Sequence, residues 1–359
     1  MSRYLIRRLV SALPVLFGIL IVTFALARMI PGDPCRAILG EKATVETCER
    51  FIREKGLDQP IPVQLGVYIR DIAAGDFGNS IRFNRSVGEI LVERLPMTLE
   101  LGMAALFLAL IIGIPAGIVS AVRRNSIIDV LTMAGANLGV SMPVFWLGLM
   151  LAYVFALLLK DTPLWLPPTG RLTAGVASVP FYEVWGLEFV AHSARHRIFD
   201  FFANFYLFNA LFTGNGEVLK DGIRHLILPS LALSTIPLSI IARMTRSSML
   251  EVLEQDYVRT ARAKGLANAT VVLRHAFRNS LLPVVTVAGL QLGSVFGGAV
   301  LTETIFGLAG VGRTLFEAIT ARDFPIIQGF TLVIAVGYVM ANLLVDISYA
   351  FLDPRIRLE

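Results

Sequence analysis

The sequence predicts an all-α integral membrane protein, with six transmembrane helices and a small outer lobe after the first. Three observations carry that expectation. Charged residues make up only 16% of the 359 positions, and hydrophobic residues 55%. A soluble domain runs nearer a quarter charged. The composition therefore excludes an ordinary cytosolic enzyme, a disordered chain and a coiled coil, and the mean hydropathy of +0.69 agrees. Second, six stretches without Asp, Glu, Lys or Arg reach the length a helix needs to cross a bilayer core, about 20 residues. Third, short basic loops alternate with long charge-balanced ones.

The uncharged stretches are 9–27, 101–122, 130–159, 225–242, 279–302 and 324–345. Pro14, Pro115, Pro143 and Pro237 fall inside them, which neighbouring helices can accommodate. The first stretch follows Arg3, Arg7 and Arg8 and ends in Ala25-Leu26-Ala27, like a secretory signal. Nineteen uncharged residues followed at once by Arg28 is long for a signal core, so it reads as an uncleaved anchor. A further apolar stretch, 201–212, is a dozen residues long and rich in Phe. That length suits an interfacial or re-entrant segment better than a span.

Charge sets the orientation. Segments 1–8, 123–129, 243–278 and 353–359 hold 14 Lys plus Arg against 6 Asp plus Glu. Segments 31–95 and 161–224 hold 9 against 10 and 5 against 6. Basic loops stay inside. Both termini are expected in the cytoplasm, with the chain in a prokaryotic cell (inner) membrane. The organisation expected is an anchor helix 1–30, an outer lobe 31–95, a transmembrane domain 96–352 and a cytoplasmic tail 353–359. The transmembrane domain carries an outer loop 161–224 and a cytoplasmic loop 243–283.

The outer lobe opens with Pro31-Gly32-Asp33-Pro34, which stops the first helix. A helix is expected near 45–54, then turns at Asp58-Gln59-Pro60 and Gly75-Asp76. Both cysteines, Cys35 and Cys48, lie here. Outside the cell a disulfide between them is allowed. Two unpaired small residues are the alternative, and the sequence leaves both open.

Chemistry is sparse. No G-x-x-x-x-G-K-[ST] loop, nucleophile elbow or H-E-x-x-H motif occurs. His192 and His196 have i, i+4 spacing, but no further ligand stands nearby, and two surface histidines is the preferred reading. No catalytic, cofactor, metal or nucleic-acid site is expected. Glu100, Glu303 and Asp346 are the acids nearest membrane level. The first two fall at outer span ends, where water can solvate them, and Asp346 near an inner end. Structural or snorkelling roles are preferred to an ion relay.

The 243–283 loop is finely punctuated. Ser247 or Ser248 can cap a short helix to Gln255. Asp256 can cap a second over 257–264, which Gly265 ends in a left-handed turn. Asn268 can start a third, with Arg274 and Arg278 on one face and Leu273 and Phe277 beside them. Such a basic, apolar mixture fits a groove on a partner protein or an anionic lipid surface.

Asp256-Tyr257-Val258-Arg259-Thr260-Ala261-Arg262-Ala263-Lys264-Gly265-Leu266, followed by Arg274-His275-Ala276-Phe277-Arg278-Asn279-Ser280-Leu281-Leu282-Pro283, resembles the cytoplasmic signature of binding-protein-dependent ABC importer permeases. The chain is most similar to the first-subunit type of the dipeptide/oligopeptide/nickel group. Tyr4-Leu5-Ile6-Arg7-Arg8, Gly56-Leu57-Asp58-Gln59-Pro60 and Gly75-Asp76-Phe77-Gly78-Asn79-Ser80 resemble that subunit's first part. Gly310-Val311-Gly312-Arg313, Arg322-Asp323-Phe324-Pro325 and Leu352-Asp353-Pro354-Arg355-Ile356-Arg357 resemble its last.

The resemblance implies a type I ABC importer permease fold and transport of di- or oligopeptides. The implied partners are a second, similar permease, two ATPase subunits, an external substrate-binding protein and membrane lipid. ATP and Mg would sit on the ATPases, with no cofactor in this chain. Asp256, Tyr257, Arg259, Thr260, Ala261, Arg262, Lys264 and Gly265 would form the helix that enters a cleft on the ATPase. Two departures stand out: Arg259-Thr260-Ala261 replaces the family's frequent Glu-Ala-Ala, and the 161–224 loop is long. The competing readings are a permease of this fold for nickel, an oligosaccharide or another solute, and an ion-coupled secondary transporter using Glu303 or Asp346.

Overall fold

The computed structural model describes residues 2–29, 35, 43–54, 56–190, 193–295 and 300–352. These residues contain helices and no strand, only an isolated antiparallel bridge between Asn79 and Ser86. Helix α1 is Ser2–Met29, α2 Val45–Glu54, α3 Ile61–Ala73, α4 Val87–Val122 and α5 Ile127–Ser141. Helix α6, Val144–Ala152, continues as a π-helical turn, Tyr153–Leu158. The short outer helices are α7 Phe181–Val184, α8 Ala194–Ala203 and α9 Tyr206–Thr213. Then come α10 Gly216–Leu253, α11 Asp256–Ala263 and α12 Asn268–Thr270. A π-helical stretch, Val271–Phe277, joins α12 to α13, Arg278–Val295. Last are α14 Val300–Ile305, α15 Val311–Ala321 and α16 Phe324–Leu352.

Among the described residues four helices are long and apolar enough to cross a membrane: α1, α4, α10 and α16. The stretch expected as one span at 130–159 is two helices, α5 and α6, bent by 102°. The break falls at Met142-Pro143, where Met142 is extended. Proline offers no N–H and crowds the residue before it out of the helical region. Pro14, Pro115 and Pro237 sit inside unbroken helices. Counted as one crossing, the bent pair makes five. The stretch 279–302 divides between α13 and α14, with 296–299 outside the described residues. A sixth crossing is thus an expectation from sequence alone. The 201–212 stretch is two short helices, α8 and α9, and Gly214, at φ +66°, ends the second.

Helices α4 and α10 form the central seam. A Cβ on Gly113 would lie 3.0 Å from the Leu238 carbonyl, and one on Gly117 only 2.6 Å from that of Ala242. Glycine spaced by four residues lets the backbones touch, as in small-residue membrane interfaces. Around the seam, Ala109, Ile241 and Val284 bury together toward α13. Met97, Leu101, Leu228, Phe306 and Leu308 bury toward the outer loop. Helix α1 runs antiparallel to α16, with Arg8 paired to Asp346 at 2.6 Å.

Among the described residues, several contacts hold the lobe before α4. Cys35 is bonded to Cys48, which settles the pairing the sequence left open. Ser80 donates to Asp323 at 2.5 Å, and the Arg82 amide does so at 3.1 Å. Phe77 and Phe83 pack on the cluster of Val87, Ile90, Ile326 and Phe330. Two motifs separated by some 240 residues therefore meet in space.

Candidate coupling surface

Two residues, Glu254 and Gln255, separate α11 from α10. Helix α10 runs unbroken to Leu253, and Ser248 is buried within it. The short separate helix expected to start at Ser247 or Ser248 does not form, because the seam continues through this stretch. Gln255 occupies the N-cap of α11, and Asp256 is its first residue rather than its cap. There the Asp256 carboxylate favours the positive end of the helix dipole, as Arg262 favours the other end.

The C-terminus of α11 is a Schellman turn. The Gly265 amide donates to the Arg262 carbonyl at 3.0 Å, and that of Leu266 to Ala261 at 3.4 Å. Gly265 has φ +75°, the left-handed conformation expected of it. Asn268 begins α12 without a side-chain cap. The expected third helix is this short turn, widened through Val271–Phe277 and continued as α13.

The inner face of α11 is apolar. Val258 and Ala261 bury against Val271, flanked by Val252 and Leu253. Burying a side chain of Val's size contributes about 1.5–3 kcal/mol. Ala261 thus packs within its own chain, not on the outward surface as the resemblance implied. The outward face carries Asp256, Tyr257, Arg259, Thr260, Arg262 and Lys264, all exposed. Leu266, Leu273, Arg274 and Arg278 extend it. Asn279 donates to the Tyr257 hydroxyl at 2.8 Å, tying the exposed face to the start of α13. The result is a basic ledge with apolar points at its edge.

A buried carboxylate lies at the same end of the molecule. Asp129, in the first turn of α5, is buried at 4% exposure. It accepts from Arg246 Nε and Nη2, both at 2.8 Å, from the Asn125 amide at 3.0 Å, and from Ser120 Oγ. Only a Ser-x-x-Asp capping pattern, Ser126 to Asp129, marks it in the sequence.

The acids considered for ion coupling are also placed. Glu100 and Glu303 are buried, not solvated as expected. Glu100 accepts from Arg171 at 2.7 Å and from the Leu207 amide at 2.8 Å. Arg171 also stacks over Tyr206, 3.6 Å from the ring centre. Glu303 accepts from Thr98 at 2.7 Å and from the Arg313 amide at 2.8 Å. A Cβ on Gly310 would lie 2.5 Å from its carboxyl group, so the Gly310-Val311-Gly312-Arg313 stretch is shaped around that carboxylate. Both acids serve as joints between outer segments and the seam.

The aromatic outer stretch packs on itself. Phe181, Tyr182 and Ala203 form its centre, with Phe189, Phe199 and Phe208 around them. Tyr182 donates to Asp200 at 2.5 Å, and burial pushes its phenol well above the usual range. His196 lies beside Tyr182, and His192 is outside the described residues.

Comparison with known proteins decides the class. The profile of the binding-protein-dependent transport system inner membrane component matches residues 113–358. The chain belongs to this family. The N-terminal component of the same transport systems matches residues 1–102. The dipeptide transport system permease protein DppB of Alkalihalophilus pseudofirmus is 45% identical over 357 residues, covering 99% of this chain and all of that protein. The Escherichia coli K12 protein of the same name is 42% identical, with 99% of both chains covered. The di/tripeptide transport system permease protein DppB of Pseudomonas aeruginosa is 41% identical over the same shares. The binding-protein-dependent permease expected from the sequence is thus the class of this chain, and the alternative of an ion-coupled secondary transporter falls away.

Proposed function

We propose that this chain is one of two permease subunits in an ATP-driven importer of di- or oligopeptides. It spans the membrane six times with both termini in the cytoplasm. A second, similar permease completes the pathway, an external binding protein delivers the peptide, and two ATPase subunits hold the ATP and Mg. The observation that carries the reading is the α11 ledge. Its apolar face is consumed within the chain, so its exposed basic face is free for a partner. The names of the relatives, matched end to end, support peptides as cargo.

The test is reconstitution of the chain with the second permease, the ATPases and the binding protein in proteoliposomes. Labelled dipeptide should accumulate with internal ATP and be unaffected by a protonophore. Arg259→Glu with Arg262→Glu should strip the ATPases on co-purification while leaving membrane insertion intact. Uptake that follows a proton gradient without ATP refutes the reading.

A further inference from the structure

The proposal concerns Asp129 and rests on the importer reading above. Its carboxylate receives four donors from three places: Ser120 at the end of α4, the Asn125 amide in the α4–α5 turn, and both Arg246 nitrogens from α10. Every strong acceptor position is filled. The Arg246 contact is bidentate, a geometry that fixes orientation as well as distance.

The position is as telling as the geometry. Gly113 and Gly117 already bring α4 and α10 into backbone contact on one side of the pair. On the other, Ala121 and Met249 pack with Val272 and Ala276 of the stretch leading to α13. Arg246 stands seven residues before the end of α10, roughly 10 Å along the axis. Two residues later α11 begins, its inner face packed on Val252 and Leu253. Arg124 adds an exposed contact, 2.9 Å from Glu254 in the α10–α11 joint.

The seam does not need a buried ion pair for cohesion, since well-packed apolar residues usually stabilise such a site as well or better. What an ion pair supplies is a fixed relative orientation. We infer that Asp129 and Arg246 are positioning residues that lock the ends of α4, α5 and α10 into one body. A push on α11 then moves the seam instead of bending the α10–α11 joint. Loss of the lock lets ATP turnover proceed without a matching movement of the pathway.

The experiment uses the complete complex in proteoliposomes, with labelled dipeptide uptake and phosphate release read in the same vesicles. Absence of ATP-driven uptake by the unaltered complex counts against the importer reading alone. Given uptake, Asp129→Asn and Arg246→Lys should assemble with near-normal basal hydrolysis. Uptake per ATP should fall at least tenfold in each. Ser120→Ala keeps the Arg246–Asp129 pair and frees only the end of α4, so its ratio should fall less than in either of the other two. An assembled Asp129→Asn complex with an unchanged ratio overturns the inference. If Asp129→Asn does not assemble, Arg246→Lys decides, because it retains the charge and loses only the fork. An Arg246→Lys complex that keeps the normal ratio, or that simply fails to assemble, makes the pair a structural contact and likewise overturns it.

Discussion

Gly265 adopts φ +75° with open space around it, so a substitution there tests backbone conformation and nothing else. Gly265→Ala should cost about 1–2 kcal/mol at the end of α11, the usual penalty for a left-handed L-residue. Asn, which tolerates this region, should cost less. Gly265→Pro fixes φ near −65° and removes the amide bonded to Arg262, so it should abolish uptake. Dipeptide uptake by the three variants gives the order. Ala261→Asp should unfold α11 rather than merely repel a partner. Its carboxylate would enter the Val258–Val271 contact unpaired, at about 2–5 kcal/mol. Protease sensitivity of the 254–270 stretch in the isolated chain distinguishes the two outcomes. Arg259→Glu, on the exposed face, should leave that sensitivity unchanged.

Among the elements, buried carboxylates help fasten the outer segments to the seam, beside the apolar packing around Met97 and Phe306. Glu100 joins α4 to the 161–224 loop through Arg171 and the start of α9. Removing one partner strands the other in a buried site, so Glu100→Ala should destabilise the protein by about 3–5 kcal/mol. A lowered midpoint of thermal unfolding in detergent would register it. The Cys35–Cys48 link is of a different kind, a covalent closure across 13 positions that ends in α2. Closing a loop of that size contributes about 3 kcal/mol on the chain-entropy account. Cys35→Ser with Cys48→Ser should loosen α2, read as protease cleavage within Val45–Glu54, and leave uptake within about twofold. Equal cleavage of both forms would show that the link holds nothing in place.

For the whole molecule, the sidedness proposed from the basic loops has a direct test. A reporter fused at Lys264 should read as cytoplasmic, and one inside 165–220 as external. An external Lys264 reporter inverts the topology and removes the ledge from the reach of any ATPase. The bent α5–α6 pair bears on the same count. If it does not cross, the α4–α5 turn and residue 160 lie on one side, and a reporter after Leu159 would read as cytoplasmic.

Class, approximate spans and the punctuation of the 243–283 loop were legible in the sequence because they depend on local quantities. Hydrophobic run length, loop charge and the Asp256–Gly265 punctuation need no knowledge of distant residues. The left-handed Gly265 followed from the same logic, since only a few residue types can end a helix that way. Tertiary structure alone decided what lies far apart in the chain but close in space. It turned Ala261 inward, because Val271 lies against it in the fold. It buried Glu100 and Glu303 by bringing them Arg171 and the Arg313 amide, donors no spacing rule would pair with them. It broke the 130–159 run at Pro143 but carried α10 straight through Pro237. Asp129 and Arg246, 117 residues apart, became partners for the same reason. A buried charge is tolerable only where the fold assembles its donors, and that assembly is invisible to hydropathy and to local pattern.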